Sequence, residues 1–558
     1  MAHVEFNLAQ VQEAVAEAIP EREALVWRDR RQTHASLTER TRRLANFLIA
    51  RGLGVHRART ELAGWETGQD LLALYLHNRP EYLEGMLGAF KARVAPVNVN
   101  YRYVDEELVY LLNDGQVRGI VYESFFAPTL ARIRRRVPTL DVLVQVEDGT
   151  GNALLPDAIE FEAALATASP ARPEVEWSPD DLYVLYTGGT TGMPKGVLWR
   201  QADIFVCALG GQRRALSGEE FGSLREIVDR AVTGKAALRS LPSAPFMHGA
   251  AHWSAFHTLY AGGTVVVQPN SRSLDPEDIL RTVEGERVQS LLIIGDAFAR
   301  PLLDALGRGR YDLRSLSLLV TGGAALTASL KRDLLARVPG LTILDTMGSS
   351  ETGTQAQHLS NERQGVATGT FRPGASSLVL SEDLSRVLAP GSSEVGWFAR
   401  TGRVPLGYLG DPQKSARTFP SVAGQRCSVP GDRAQISEDG SIVLLGRDSV
   451  TINSGGEKIF AEEVEQALKH HPAVYDVVVV GRPSERWGQE VVAIVKLKPG
   501  SDVAPAELLE ECARHIARFK VPKEIIFAEQ IVRSPSGKAD YRWARSRALE
   551  SPGSGRTG

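Results

Sequence analysis

Cysteine is scarce. Cys207, Cys427 and Cys512 are the three among 558 residues, odd in number, far apart and in no CxxC pair, which argues against a disulfide framework or a structural zinc site and fits a reducing compartment. Charge of one sign is also lacking, because 64 Lys and Arg stand against 67 Asp and Glu for a net charge of -3. No global field therefore favours nucleic acid or an anionic membrane, and an anionic ligand must be held locally. No stretch approaches the roughly 18 apolar residues of a spanning helix, and the first twenty positions carry Glu5, Glu13 and Glu17 rather than a basic leader. A cytoplasmic protein without integral membrane segment or nucleic-acid partner is expected, its three cysteines buried as thiols. Low complexity and internal repeats are absent as well, since 52 Gly and 29 Pro are ordinary usage. What is present, 43% hydrophobic residues over this length, is enough for several folding units.

Periodicity then sorts the chain. Ser36-Leu-Thr-Glu39 has the spacing of a capping box, and Leu37, Leu44, Phe47 and Leu48 give a helical stripe after it. The apolar run 71–76 reads as a strand, and Leu83, Met86, Leu87 and Phe90 read as the helix that follows. The runs 291–294 and 317–320 read as fully buried strands, each trailed by a helix, so the fold class is α/β with mostly parallel, helix-covered sheets. The last hundred residues form a separate small α+β unit: a helix through Val464, Ala467 and Leu468, strands over 477–480 and 491–497, and a Pro-opened helix over 505–517. The polar stretch 217–237 reads as an inserted surface excursion. Residues 546–558, ending in Ser, Pro, Gly and Arg, read as a tail without core-forming composition.

The most informative segment runs from Asp181 through an apolar strand to Thr187-Gly188-Gly189-Thr190-Thr191-Gly192 and then Lys195. Glycines let backbone N–H groups approach an oxyanion, the threonines add hydroxyl donors, and Lys195 supplies a compensating charge. It is not a Walker A loop, because Pro194 precedes the lysine, Gly196 follows it, and Val197-Leu198 reads as a returning strand.

This loop resembles the signature of the adenylate-forming, AMP-binding superfamily of acyl-CoA synthetases, luciferases and peptide-synthetase adenylation domains, with Gly188 in place of a serine. Further motifs follow in the family's order: Asp345-Thr346-Met347-Gly348-Ser349-Ser350-Glu351, Gly431-Asp432, Gly446-Arg447, the run from Arg447 through Gly455-Gly456 and Lys458, and Ser536-Gly537-Lys538. The resemblance covers roughly residues 21–545 and is nearest to bacterial ligases of the sterol-side-chain and long-chain type. It implies a large N-terminal domain over 1–447 and a small mobile lid over 448–545 with its hinge near Ser449. Ser449, Asn453 and Ala461 depart from the family's usual hinge aspartate, lysine and proline.

By resemblance the cofactors are ATP, Mg²⁺ and coenzyme A. Asp345 would accept from the adenine amino group, Met347 would cover one face of the base, Gly323, Ala324 and Ala325 would line the other, and Thr346, Gly348 and Ser350 would also bind the cofactor. Asp432 would hold the ribose hydroxyls and Arg447 ribose or phosphate. Glu351, with Thr190, would ligate Mg²⁺. Gly455, Gly456 and Lys458 would face the pantetheine arm, and Lys538, Lys195, Glu351 and Arg447 would be catalytic. His248, Gly249, Ala250, Trp253 and Gly295 would form the acyl pocket, which offers no aspartate for an α-ammonium and so disfavours amino acids. The implied reaction activates a bulky hydrophobic acid, a long-chain fatty acid or a steroid side-chain acid, through an acyl-AMP to a CoA thioester. A medium-chain or aryl acid, a carrier-protein acceptor and a luciferase-type oxygenase stay open as alternatives, as does a homodimer.

Overall fold

Buried runs of Leu, Val and Ile make the scaffold. In the computed structural model, which describes residues 4–187, 193–454, 457–534 and 537–550, they form a fifteen-stranded sheet, two five-stranded sheets and one of three strands. In the large sheet Glu23–Trp27, Thr264–Val267, Arg239–Pro242, Ser290–Ile293, Leu318–Gly322 and Thr342–Ser349 lie side by side and parallel. The run expected at 291–294 is a fully buried strand there, while the one expected at 317–320 starts at Leu318 and leaves Leu318 and Val320 half-buried. The turn 350–352 is too short for a crossover, so Gly353–Ser360 returns antiparallel and the sheet continues that way through Thr370–Pro373, Ile442–Arg447, Asp432–Ile436 and Gly396–Thr401. A five-stranded sheet containing Leu71–Tyr75 is parallel throughout. The C-terminal domain has its own sheet and its own core around Val464, Val477, Val479, Ala493 and Val495.

Several elements differ from the sequence reading. The helix His34–Ala50 starts before the box at Ser36, because the Thr33 hydroxyl accepts from the Ser36 N–H and caps it earlier. The helix Pro80–Lys91 is buried on every side, charges included: Glu84 accepts from Arg30 and Arg40, and Lys91 pairs with Glu13. Residues 217–237 are not merely an excursion, since Leu224–Thr233 is a helix that buries Ile227 and Ala231 in the main core. The chain does not become a tail at 546, because the helix Tyr541–Glu550 continues and Ala548 packs with Val478 and Val480. The helix expected over 505–517 ends at His515. All three cysteines are free and buried. Among the described residues no helix is long and apolar enough to cross a membrane.

Candidate functional site

Parallel strands deliver their following loops to one edge of a sheet, where backbone groups leave the ladder and become available to a ligand. Here the strands Arg239–Pro242, Ser290–Ile293, Leu318–Gly322 and Thr342–Ser349 end next to one another. The segments that follow them hold His248, Gly295, Gly323 to Ala325, and Glu351. Asp296 N–H donates to Ala325 O at 3.0 Å and Gly295 N–H to Thr321 Oγ1 at 3.0 Å, so Gly295, Ala324 and Ala325 share one floor. Thr346 Oγ1 donates to Thr321 O at 3.0 Å, tying the next strand to it.

Leu182–Thr187 and Lys195–Arg200 are antiparallel neighbours with Thr187 opposite Lys195, as a returning strand requires. Gly188, Gly189, Thr190, Thr191 and Gly192 of the intervening loop lie outside the described residues. Lys195 stands 3.7 Å from Asp114 Oδ1 and 3.9 Å from Asp411 Oδ2. Burial opposes its charge, yet Tyr110, Asp114 and Asp411 hold the ammonium above its ordinary value.

The segment carrying Glu351 is clamped from three sides. Trp199 Nε1 donates to Ser350 O at 2.8 Å, Ser428 Oγ to Glu351 O at 2.6 Å, and the Tyr408 hydroxyl to Glu351 Oε1 at 2.8 Å. Asp432 and Arg447 are directly opposite in their hairpin, and Arg447 Nε reaches Asp432 Oδ1 at 3.2 Å. The second oxygen, Asp432 Oδ2, is buried without a partner, an acceptor left open for a ligand.

Lys538 comes from the other domain. Its loop is pinned by Arg533, which makes a two-bond pair with Asp476 at 2.8 and 2.7 Å and donates to Gly537 O at 3.0 Å. Gly537 packs on Ile294, which sets Lys538 over the ends of the strands. Its side chain keeps accessible surface. Desolvation there, with the Arg447 charge, lowers its ammonium to about 8, against the attraction of Glu351 and Asp432. His248 ends at a buried Nε2 without partner, and burial first, then the Lys538 charge, pushes its imidazolium down to about 3. Lys538 thus lies within electrostatic range of Glu351, Asp432, Arg447 and His248, residues spread over 291 positions of sequence.

Further ion pairs dock the C-terminal domain. Lys469 Nζ donates to Asp296 Oδ2 at 3.0 Å with both side chains buried, and Arg300 lies over the Tyr475 ring at 5.2 Å. Glu462 reaches back past residues 448–450 so closely that a Cβ on Gly446, whose φ is +131°, would collide with its carboxylate. Beside this junction a cleft of about 360 Å³ opens between the domains, lined by Arg102, Arg272, Arg300, Lys496, Arg533 and Asp296 among others.

Two of the expected residues have partners of their own. Asp345 Oδ2 is paired with the buried ammonium of Lys331, which also donates to Ala367 O. A lysine side chain this deep needs a carboxylate partner, and burial, countered by Lys331, raises the Asp345 carboxyl to about 6. Lys458 is half exposed and pairs with Glu382 at 3.2 Å. Gly455 and Gly456 lie outside the described residues. Met347 packs with Ala356 and Phe371, Ala250 against the main core, and Gly249 with Trp253. Sequence reasoning missed Tyr408, Trp199, Asp114, Asp411 and Lys331, none of which stands within a recognisable motif.

A family model described as AMP-binding enzyme matches residues 12–396, and one described as AMP-binding enzyme C-terminal domain matches residues 463–538. The chain is 53% identical over 545 residues to the medium-chain acyl-CoA ligase Mig of Mycobacterium avium, covering 98% of each protein. It is 39% identical over 548 residues to the 3-oxocholest-4-en-26-oate–CoA ligase of Rhodococcus rhodochrous, covering 97% of this chain and 95% of that protein. Its fold is similar, with TM-score 0.81 and 21% identity over 98% of each chain, to the crystal structure of the anthranilate CoA ligase AuaEII in complex with anthranoyl-AMP.

Proposed function

The chain belongs to the AMP-binding enzyme family, and from that premise we propose that it is an ATP-dependent acid–CoA ligase for a hydrophobic carboxylic acid, working through an acyl-AMP. The observation that bears this reading is the meeting of Lys538 with Glu351, Asp432, Arg447 and His248 across the domain boundary. A carboxylate cannot expel oxide, so it must first become a mixed anhydride, and its attack on the α-phosphate, which breaks the α–β anhydride bond and expels pyrophosphate, brings two anions together.

Each residue has a part in relieving that repulsion. Lys538 bridges the carboxylate and the α-phosphate, and Lys195 receives charge on the outer phosphates. Asp432 Oδ2 accepts from a ribose hydroxyl while Oδ1 stays with Arg447. Glu351 would hold the Mg²⁺ that accompanies ATP, which supplies charge neutralisation on the phosphate oxygens. The fit is a single carboxylate steadied by Tyr408, with no group of three or more His, Cys, Asp or Glu among the described residues able to cage an ion, as suits an ion shared with a nucleotide. In the second step the CoA sulfur bonds to the acyl carbon, the carbonyl carbon releases AMP, and the thiol proton leaves to solvent. The cationic lining of the interdomain cleft suits the phosphates of an incoming anionic substrate.

The similarity to a ligase named for medium-chain acids supports a fatty acid of moderate length, and the 39% relative supports a steroid side-chain acid as the second substrate class. Mass spectrometry of products from MgATP, CoA and a panel of fatty, aryl and steroid side-chain acids tests the reading. A CoA thioester with AMP is expected. Acyl-AMP without thioester would replace CoA by another acceptor, and neither product would refute the ligase.

A further inference from the structure

Lys195 and Glu351, the residues given to the outer phosphates and to Mg²⁺, share a neighbour that stands in no motif. The strand Gly407–Tyr408 runs antiparallel to Lys195–Arg200, with Tyr408 opposite Val197 and Leu409 N–H donating to Gly196 O at 2.8 Å. A tight turn follows, closed by Asp411 N–H donating to Tyr408 O at 3.2 Å, and it leads into the short helix Pro412–Thr418. Asp411 then serves two lysines. Its Oδ1 accepts from the Lys414 N–H at 2.9 Å, and its Oδ2 lies 3.9 Å from Lys195 Nζ.

Lys414 is aimed back at Tyr408. Its ammonium lies over the phenol ring, 4.1 Å from the centroid, and the hydroxyl of that ring donates to Glu351 Oε1 at 2.8 Å. Lys195 has carboxylates at 3.7 and 3.9 Å, whereas the half-buried Lys414 makes no ion pair among the described residues. Burial lowers its ammonium, Glu351 and Asp411 oppose this, and Lys195 adds to it. A partly desolvated cation without a carboxylate is costly by itself, and an anion entering beside it removes that cost. Lys195, Glu351, Asp411 and Lys414 all keep accessible surface, so the place is open to a ligand.

We propose that Lys414 is a further binding residue for the pyrophosphate half of ATP, meeting it beside Lys195 and stabilising the charge that collects there as the α–β bond breaks. This rests on the ligase reading and deepens it. The electron pair of that bond stays with the departing oxygen, so pyrophosphate leaves with one more negative charge while the AMP moiety passes to the carboxylate, and a fixed ammonium at the leaving group favours the step.

The test is pyrophosphorolysis, the return of pyrophosphate to the acyl-AMP made from the best acid of the panel above. Lys414→Gln should raise KM for magnesium pyrophosphate about tenfold, the scale of one hydrogen bond to a charged group, and raise KM for MgATP in the forward direction alike. Lys414→Arg should restore most of the loss. The Kd for AMP, and thioester formation from supplied acyl-AMP, involve no pyrophosphate and should not move. Equal weakening of AMP and pyrophosphate would make Lys414 a structural residue, and an unchanged KM for magnesium pyrophosphate, with or without a shifted Mg²⁺ titration, would make it at most a support for Tyr408. Either result overturns the proposal and leaves the ligase standing. If Lys414→Gln does not fold, the unaltered enzyme decides: magnesium pyrophosphate but not AMP should protect Lys414 from acetic anhydride, read by peptide mass spectrometry, and equal labelling overturns the proposal. A wild type that forms neither acyl-AMP nor thioester from any acid of the panel overturns both readings together.

Discussion

Lys538 is a cation in a place that discourages cations. Its ammonium is lowered to about 8 by desolvation and by Arg447, so the charged form prevails below that pH and is lost as pH rises through it. For adenylation, kcat/KM, which reports the free enzyme, should fall with a single ionisation near pH 8, and Lys538→Arg should remove that limb; an unchanged limb would assign it elsewhere. Lys538→Ala should lower adenylation by more than about a hundredfold, the scale of a lost electrostatic contact to a developing charge. Thioester formation from supplied acyl-AMP should survive, and single-turnover assays of the two half-reactions separate these outcomes. Glu351 is the other residue with a defined part. Glu351→Ala should shift the Mg²⁺ titration of adenylation to higher concentration by about tenfold or more, given that one or two carboxylates hold this ion; a superimposable titration would remove Glu351 as its ligand.

Between elements, the docking of the helix Ala461–Leu468 and the residue after it onto the body is ionic and buried. Lys469→Ala strands Asp296 without its cation, and breaking such a pair costs about 3–5 kcal/mol, here charged against the docked arrangement. Adenylation, which needs Lys538 in place, should suffer far more than the thioester half-reaction. Glu462 makes a pH prediction of opposite sign to a salt bridge. Burial, with the Glu465 charge, raises its carboxyl to about 8, above the ordinary 4.5, so the folded state holds a proton that the unfolded state gives up. The stability that depends on that proton is full below about pH 4.5 and lost as pH rises toward 8. Glu462→Gln should flatten this dependence in calorimetric melts between pH 5 and 9, and parallel curves would show that Glu462 is not the group responsible.

The same scale shows what was legible beforehand. Leu182–Thr187 and its return through Lys195 were readable because an apolar run with glycines and a lysine has few physical uses, whereas Asp432 and Arg447 were readable only through their resemblance to the motifs of the family. Lys331 was not, since a lone lysine on a helix reads as solvated until the strand carrying Asp345 is laid beside it. Nor was the burial of Glu81, Glu84 and Lys91, whose partners Arg30, Arg40 and Glu13 lie on other elements. The helix start at Thr33 was missed because two hydroxyls three residues apart compete for one terminus, and only the entry direction of the strand decides.

At the scale of the molecule, the C-terminal domain has a separate sheet and a separate apolar core. Residues 448–550 expressed alone should therefore fold and unfold in one cooperative transition, observable by circular dichroism on heating; a broad, non-cooperative melt would show that the body is needed.

The large sheet places its first strand in an awkward position in time. Glu23–Trp27 pairs with Thr264–Val267, and Thr264 Oγ1 donates to Glu23 O across 241 positions of chain. On a ribosome adding about 5–20 residues per second, the early strand, with only its hairpin partner Arg30–Thr33 available, waits on the order of 10 to 50 s for its neighbour. Throughout that interval it offers an open edge to any other nascent chain. Its outer partner strand reads Arg30-Arg31-Gln32-Thr33, a polar and cationic border that keeps one side of the waiting pair unattractive to strangers.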